Sequence, residues 1–207
     1  MCSSDLEMTL WRNLIRKNPA AWSAYNNLGL RYAERGKTEQ ALALYNQAIQ
    51  LNTNCNEAYY NRGLIHKNKG SLKEALIDYD QAIQIKPRDT SSYVNRGVVY
   101  ATLGKAEQAL SDYNQAIRLN PRIAEAYYNR GNLFREQGKL KEAIADYTKA
   151  LEINPDLAIA YNNRGCSFFL LGQHRQALED LIKAEGLGYQ INAEFLEKLK
   201  QGLTKDD

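Results

Sequence analysis

Within AYYNRGNLFREQG, residues 126–138, apolar and aromatic side chains recur at helical spacing with polar ones between them. The pattern predicts a helix, yet Gly131 stands in its middle. Glycine there costs about 1 kcal/mol relative to alanine. The same Asn-Arg-Gly triplet stands at 61–63, 95–97, 129–131 and 163–165, and Asn27-Leu28-Gly29 is a partial copy. Every step along this series has the same length, so the apolar pattern belongs to a repeated unit rather than to isolated helices.

Units at 22–55, 56–89, 90–123, 124–157 and 158–191 bring the pattern into register. The fourth position is Tyr25, Tyr59, Tyr93, Tyr127 and Tyr161, and the eighth is Gly29, Gly63, Gly97, Gly131 and Gly165. The eleventh holds Tyr32, His66, Tyr100, Phe134 and Phe168. These three positions share one face of a first helix. A glycine at the fifteenth position, Gly36 in the first unit, suits a left-handed residue just past that helix. A second helix follows, with Ala41, Tyr45 and Ala48 and their equivalents on its inner face. The eighth-position glycines and these alanines leave room for the two helices to approach closely. Pro87, Pro121 and Pro155 then stop the second helix, since proline cannot donate the next backbone bond.

This pattern resembles the tetratricopeptide repeat, a helix–turn–helix of about 34 residues. The resemblance covers 22–191 directly and implies an all-α fold. That fold is a right-handed superhelical α-solenoid of five repeats with a helix at each end, forming one domain over residues 1–207. Pro19 falls one period before Thr53, so half a repeat, 5–19, precedes the first full one. Its helix is expected over 5–17, opened by a Ser4–Glu7 capping box, with Leu6, Leu10, Trp11 and Leu14 as the face covering the first repeat. At the other end a capping helix is expected within 192–203. Phe195, Leu196, Leu199 and Leu203 line one face of it, and Glu194, Glu197, Lys198 and Lys200 the other. A short tail, 204–207, is expected to fray.

Charge adds little. Twenty-seven basic and 24 acidic residues are interspersed for a net +3, which is no electrostatic footprint for nucleic acid or membrane. The N-terminus lacks the basic and apolar runs of a signal peptide, and no stretch approaches the ~20 apolar residues of a membrane span. Cys2, Cys55 and Cys166 are odd in number and unpatterned, so a reducing cytoplasm is expected. No catalytic, metal or cofactor site is expected. His66 takes a repeat aromatic position, His174 stands elsewhere in the register, and nothing near Cys166 would lower its pKa. The glycines form no phosphate-cradling loop.

Two members of the triplet carry polar chemistry. Arg62, Arg96, Arg130 and Arg164 are each followed, at one constant offset, by Asp78, Asp112, Asp146 and Asp180, whereas Leu28 is followed there by Leu44. That matching predicts an arginine–aspartate bridge between the two helices of a unit. The sixth position is always asparagine: Asn27, Asn61, Asn95, Asn129 and Asn163. At about 100° per residue it points away from the tyrosine and glycine that pack inward.

In tetratricopeptide superhelices the first helices line the concave surface, so the resemblance makes these asparagines a ladder along a groove. A similar ladder in the repeat domain of the protein O-GlcNAc transferases grips the backbone of an extended polypeptide. An amide can satisfy a peptide group of any sequence. Hydrogen bonding between neighbouring first helices is the structural alternative for these residues. Tyr60 and Tyr128 at the fifth position and Asn132 at the ninth complete the expected peptide-binding set. The expected function is a scaffold that binds a protein or extended peptide in its groove, as a monomer or weak dimer without catalysis. The alternative is a self-assembling homo-oligomer.

Overall fold

The structure is a computed structural model that describes residues 3–192, 194, 196, 197 and 199, with side chains from residue 6 onward. Eleven helices are assigned and, among the described residues, no strand. They are α1 Ser3–Lys17, α2 Trp22–Glu34, α3 Thr38–Leu51, α4 Asn56–Asn68, α5 Leu72–Ile85, α6 Thr90–Thr102, α7 Ala106–Leu119, α8 Ala124–Glu136, α9 Leu140–Ile153, α10 Ala158–Leu170 and α11 His174–Gly186. The chain divides into two compact units, Met1–Leu103 with α1–α6 and Gly104–Asp207 with α7–α11. Within each, successive helices pack on one another in chain order, as in an α-solenoid.

Caps contribute little to these helices: none of α2–α11 has a side-chain hydrogen bond at its N-cap. Packing holds them instead. A Cβ on Gly131 would lie 2.9 Å from Cε1 of Tyr147, and one on Gly29 2.8 Å from Cε1 of Tyr45. Glycine inside the first helix is therefore what lets the second helix's tyrosine seat against its backbone. The turn between the two helices puts Gly36 at φ 70° and Gly138 at φ 73°, a region that side chains with a Cβ avoid. Between repeats, Asn18, Asn52, Asn120 and Asn154 each accept a bond from the backbone N–H two residues on. These Asx turns bracket the residue where proline recurs, so the chain leaves each second helix along a fixed path.

The arginines tie the helices together. Nε and Nη2 of Arg130 donate to the two oxygens of Asp146 at 2.7 Å each. Arg164 does the same to Asp180, also at 2.7 Å, and Arg62 reaches Asp78 at 2.6–3.2 Å. The third guanidinium nitrogen turns the other way, to the equivalent offset on the preceding second helix. Arg62 Nη1 donates to Asn46, Arg96 to Asp80, Arg130 to Asn114 and Arg164 to Thr148. The Arg130 guanidinium also lies between the rings of Tyr127 and Phe134, 5.6 and 5.8 Å from their centroids. Asp146 raises the already high pKa of Arg130 through the bond it accepts.

The terminal helix α1 departs from expectation. It turns Met8 into the fold, with Trp11 and Ile15 half-buried, and leaves Leu6 and Leu10 65% and 58% exposed and Leu14 at 37%. The register explains this. Met8 and Ile15 stand one period before Leu42 and Ile49, which in α3 pack toward the following first helix. Leu10 and Leu14 stand one period before Leu44 and Ala48, on the face that a unit's own first helix covers, and α1 has no such helix among the described residues. Leu6 stands one period before Gln40, a position that is exposed in every full repeat. Ser4 lies inside α1, and its side chain is outside the described set, so the capping box is too. At the other end, Leu196 and Leu199 are buried with Ala177 and Leu181 of α11, and Glu194 and Glu197 face solvent. Phe195, Lys198, Lys200, Leu203 and the tail 204–207 lie outside the described residues.

Candidate functional site

The sixth-position asparagines all sit on first helices, half-buried except for Asn163, which is buried. In the first compact unit, Asn61 Nδ2 donates to Asn26 Oδ1 at 3.3 Å, and Asn26 in turn donates to Asn27 Oδ1 at 3.4 Å. Asn95 Nδ2 donates to the Tyr60 hydroxyl at 3.3 Å and to the Ser91 carbonyl at 3.0 Å. Its own Oδ1 accepts from Lys67 Nζ at 2.6 Å. In the second compact unit, Asn163 Nδ2 donates to the Tyr128 hydroxyl at 3.3 Å and to Asn132 Oδ1 at 2.9 Å, while its Oδ1 accepts from Asn162 at 3.2 Å. Asn132 Oδ1 also receives the Tyr147 hydroxyl at 2.8 Å.

A rule emerges that the triplet alone did not reveal. Each of Asn61, Asn95 and Asn163 reaches the fifth-position side chain of the preceding first helix: Asn26, Tyr60 and Tyr128. The corresponding position for Asn129 is Val94, which offers no acceptor. Both amide hydrogens of Asn95 and of Asn163 are thus used internally. Asn61 keeps one amide hydrogen and its carbonyl oxygen, and Asn129 makes no side-chain hydrogen bond among the described residues. The signal for this was the fifth position, which the sequence varies among asparagine, tyrosine and valine.

Tyr60 and Tyr128 lean over Tyr79 and Tyr147, with ring centroids 6.1 and 6.0 Å apart. A pocket of about 350 Å³ opens between α2, α3 and α4, lined in part by Leu30, Tyr45, Asn61, Leu64 and Lys69. Both described thiols are unpaired, and burial pushes the pKa of Cys55 and of Cys166 up. His66 Nε2 lies 3.9 Å from Asp78 in its aromatic position. Among the described residues no cluster of three or more His, Cys, Asp or Glu could hold a metal ion. Nor is any helix there long and apolar enough to cross a membrane.

Two family models described as tetratricopeptide repeat match residues 57–89 and 124–157, and 146–179; a third, described as TPR repeat, matches 29–70 and 99–134. Together they span well over half of the chain. It is a tetratricopeptide repeat protein. The matched segments contain three of the five sixth-position asparagines, Asn61, Asn129 and Asn163. No curated protein matches the chain in sequence at a meaningful level.

Solved structures share the fold. YrrB, described as a TPR protein with an unusual peptide-binding site, is 26% identical at TM-score 0.70, covering 92% of this chain and 97% of YrrB. PilF of Pseudomonas aeruginosa superposes at TM-score 0.80 and 21% identity, covering 87% and 85%. MamA of Desulfovibrio magneticus RS-1 does so at 0.71 and 23%, covering 81% and 94%. The last two fall below the identity at which surface chemistry carries across, so they speak to the repeat architecture alone.

Proposed function

We propose that this tetratricopeptide repeat protein is an interaction module that holds an extended segment of another polypeptide against its first helices, without catalysis of its own. The observation that carries the reading is the half-buried amides of each compact unit: Asn61 in the first and Asn129 in the second keep donors and acceptors that the fold does not use. A peptide group presents one donor and one acceptor, the complement of a carboxamide. In the first unit Asn95 fixes Tyr60 and Asn27 accepts from Asn26; in the second Asn163 fixes Tyr128 and Asn132. The peptide-binding site described for YrrB agrees with this use of the fold.

Peptides selected from a random displayed library on the immobilised protein supply the ligand for a test. Replacing Asn61 and Asn129 together by alanine should weaken binding by about 1–3 kcal/mol, at 0.5–1.5 for each hydrogen bond. That is roughly five- to a hundred-and-fiftyfold in Kd. The melting temperature should hold or rise, because alanine is the better helix former. Asn163→Ala should instead lower it, because that amide is part of the internal network. Full-strength binding by the Asn61/Asn129 variant would refute the reading.

A second reading, self-assembly, is favoured by the exposed leucine stripe of α1, where a groove of about 390 Å³ runs along Leu6, Thr9, Leu10 and Asn13. Light scattering across a concentration series, with Leu10→Lys as control, decides it. A mass that rises with concentration and falls back in the variant would establish self-assembly.

A further inference from the structure

In the second compact unit Asn132 Oδ1 accepts two hydrogen bonds at once, from the Tyr147 hydroxyl at 2.8 Å and from Asn163 Nδ2 at 2.9 Å. Three periods earlier, in the first compact unit, the two donors recur as Tyr45 and Asn61, but the acceptor is replaced by Leu30. The rest of the arrangement is kept. Asn61 Nδ2 spends one hydrogen on Asn26 at 3.3 Å, as Asn163 Nδ2 spends one on Tyr128 at the same register position. The second amide hydrogen of Asn61 and the Tyr45 hydroxyl make no hydrogen bond among the described residues. Tyr45, Asn61 and Leu30 all line the pocket of about 350 Å³ between α2, α3 and α4. The donor pair that holds one oxygen between α8, α9 and α10 thus lines an open pocket here.

We infer that this pocket receives the side-chain carboxamide of an asparagine or glutamine in the partner segment, with its oxygen between the Tyr45 hydroxyl and Asn61 Nδ2. The inference rests on the interaction reading above and names the group that Asn61 meets. Three observations commit the occupant. Asn132 is itself a carboxamide, so the chain already shows which group satisfies this donor pair. Asn61 Oδ1 accepts no bond among the described residues, whereas Asn163 Oδ1 accepts from Asn162. A carboxamide brings the N–H that Asn61 Oδ1 lacks, and a carboxylate does not. Lys69, the charged residue of the lining, is held by Glu39 at 2.7 Å, so a carboxylate entering the pocket would be desolvated without a free counter-charge. Ala33, Leu64 and Ile65 add apolar surface for the methylene stem, beside exposed Asn68 and a Thr38 hydroxyl that donates to the Gly36 carbonyl.

The displayed library of short random peptides is again the probe. Peptides enriched on the wild-type protein should share one asparagine or glutamine, and leucine in its place should weaken them. Tyr45→Phe removes one of the two donors, so it should bind the enriched peptides about two- to tenfold more weakly. Its folding is secure, because that hydroxyl makes no internal bond. Tyr79→Phe, the same change one repeat on, should bind them normally, since the Tyr79 hydroxyl is buried. Leu30→Asn restores the internal acceptor and should exclude the peptide's carboxamide, so that a peptide and its leucine derivative bind this variant alike. Helical circular dichroism and the melting temperature check each variant.

Enriched peptides that share no asparagine or glutamine, or that bind Tyr45→Phe at full strength, overturn the inference. If those peptides still respond to Asn61→Ala with Asn129→Ala, the interaction reading survives without it. If they respond to neither change, or if no binder is recovered, both fall. Aspartate or glutamate enriched in place of the carboxamides, with binding lost in Lys69→Gln, assigns the pocket to a carboxylate and overturns the inference as well.

Discussion

Tyr79 and Tyr147 occupy the same position of their repeats and are both fully buried, yet only Tyr147 has a partner for its hydroxyl. Asn132 accepts the Tyr147 proton, whereas its equivalent one pair of repeats earlier is Leu64, and the Tyr79 oxygen is buried without a hydrogen bond among the described residues. A buried polar atom left unpaired costs about 1–3 kcal/mol. Tyr79→Phe should therefore leave stability unchanged or raise it by about 1 kcal/mol. Tyr147→Phe should lower it by about 0.5–1.5 kcal/mol. Paired urea titrations read both, and equal losses would show that something else satisfies the Tyr79 hydroxyl.

The arginine of the triplet yields to the same reasoning. Arg130→Leu or Asp146→Leu alone should cost about 3–5 kcal/mol, since each strands a largely buried charge. The double variant should recover much of that loss, as the Leu28 and Leu44 pairing of the first repeat suggests. Additive losses in the double-mutant cycle would argue against a coupled pair. This pairing was legible in the sequence because charge followed charge at a fixed offset. The bond in the opposite direction was not, because Asn46, Asp80, Asn114 and Thr148 share no residue type that marks the position.

At the scale of helices, the glycine that looks like a flaw is the contact on which each pair is built. Alanine at Gly131 would gain about 1 kcal/mol of helix propensity. It would also press a methyl group against the immobile Tyr147 ring, and overpacking of this kind costs about 1–3 kcal/mol. The expected sum is a loss of up to about 2 kcal/mol. Gly186 ends α11 with nothing within 4 Å of where a Cβ would be, so alanine there should stabilise. Opposite signs in thermal melts of the two variants distinguish close approach from flexibility as the reason for glycine. Helix positions and turns were readable because one period repeats the same pattern five times. The exposed face of α1 was not, because periodicity places Leu6, Leu10 and Leu14 on one side of a helix without saying whether another helix lies there. The sixth-position amides were half readable: their constancy stood out, while their bonds depend on a neighbouring position that varies.

Across the whole chain the repeat stores its stability in a few recurring side chains, and four of them titrate together. Tyr45 and Tyr79 in the first compact unit and Tyr113 and Tyr147 in the second are at most 1% exposed. Burial, above all, raises the pKa of each, because a phenolate has no place in the apolar wedge between two helices. In the unfolded chain tyrosine ionises near pH 10. Below that pH both states hold the proton and the wedge contributes its full stability. As the pH rises past about 10, only the unfolded state releases it. Stability then falls by up to about 1.4 kcal/mol per pH unit for each tyrosine still protonated in the fold. Four such groups together approach about 5 kcal/mol per pH unit, against a total stability on the order of 5–15 kcal/mol. Helical circular dichroism should therefore be lost in a steep alkaline transition that begins near pH 10, with ionisation of the buried phenols following unfolding rather than preceding it. Tyr113→Phe removes one titrating group and should make the transition shallower. A chain that keeps its helices while all its tyrosines ionise near pH 10 would show that the wedge is open to water.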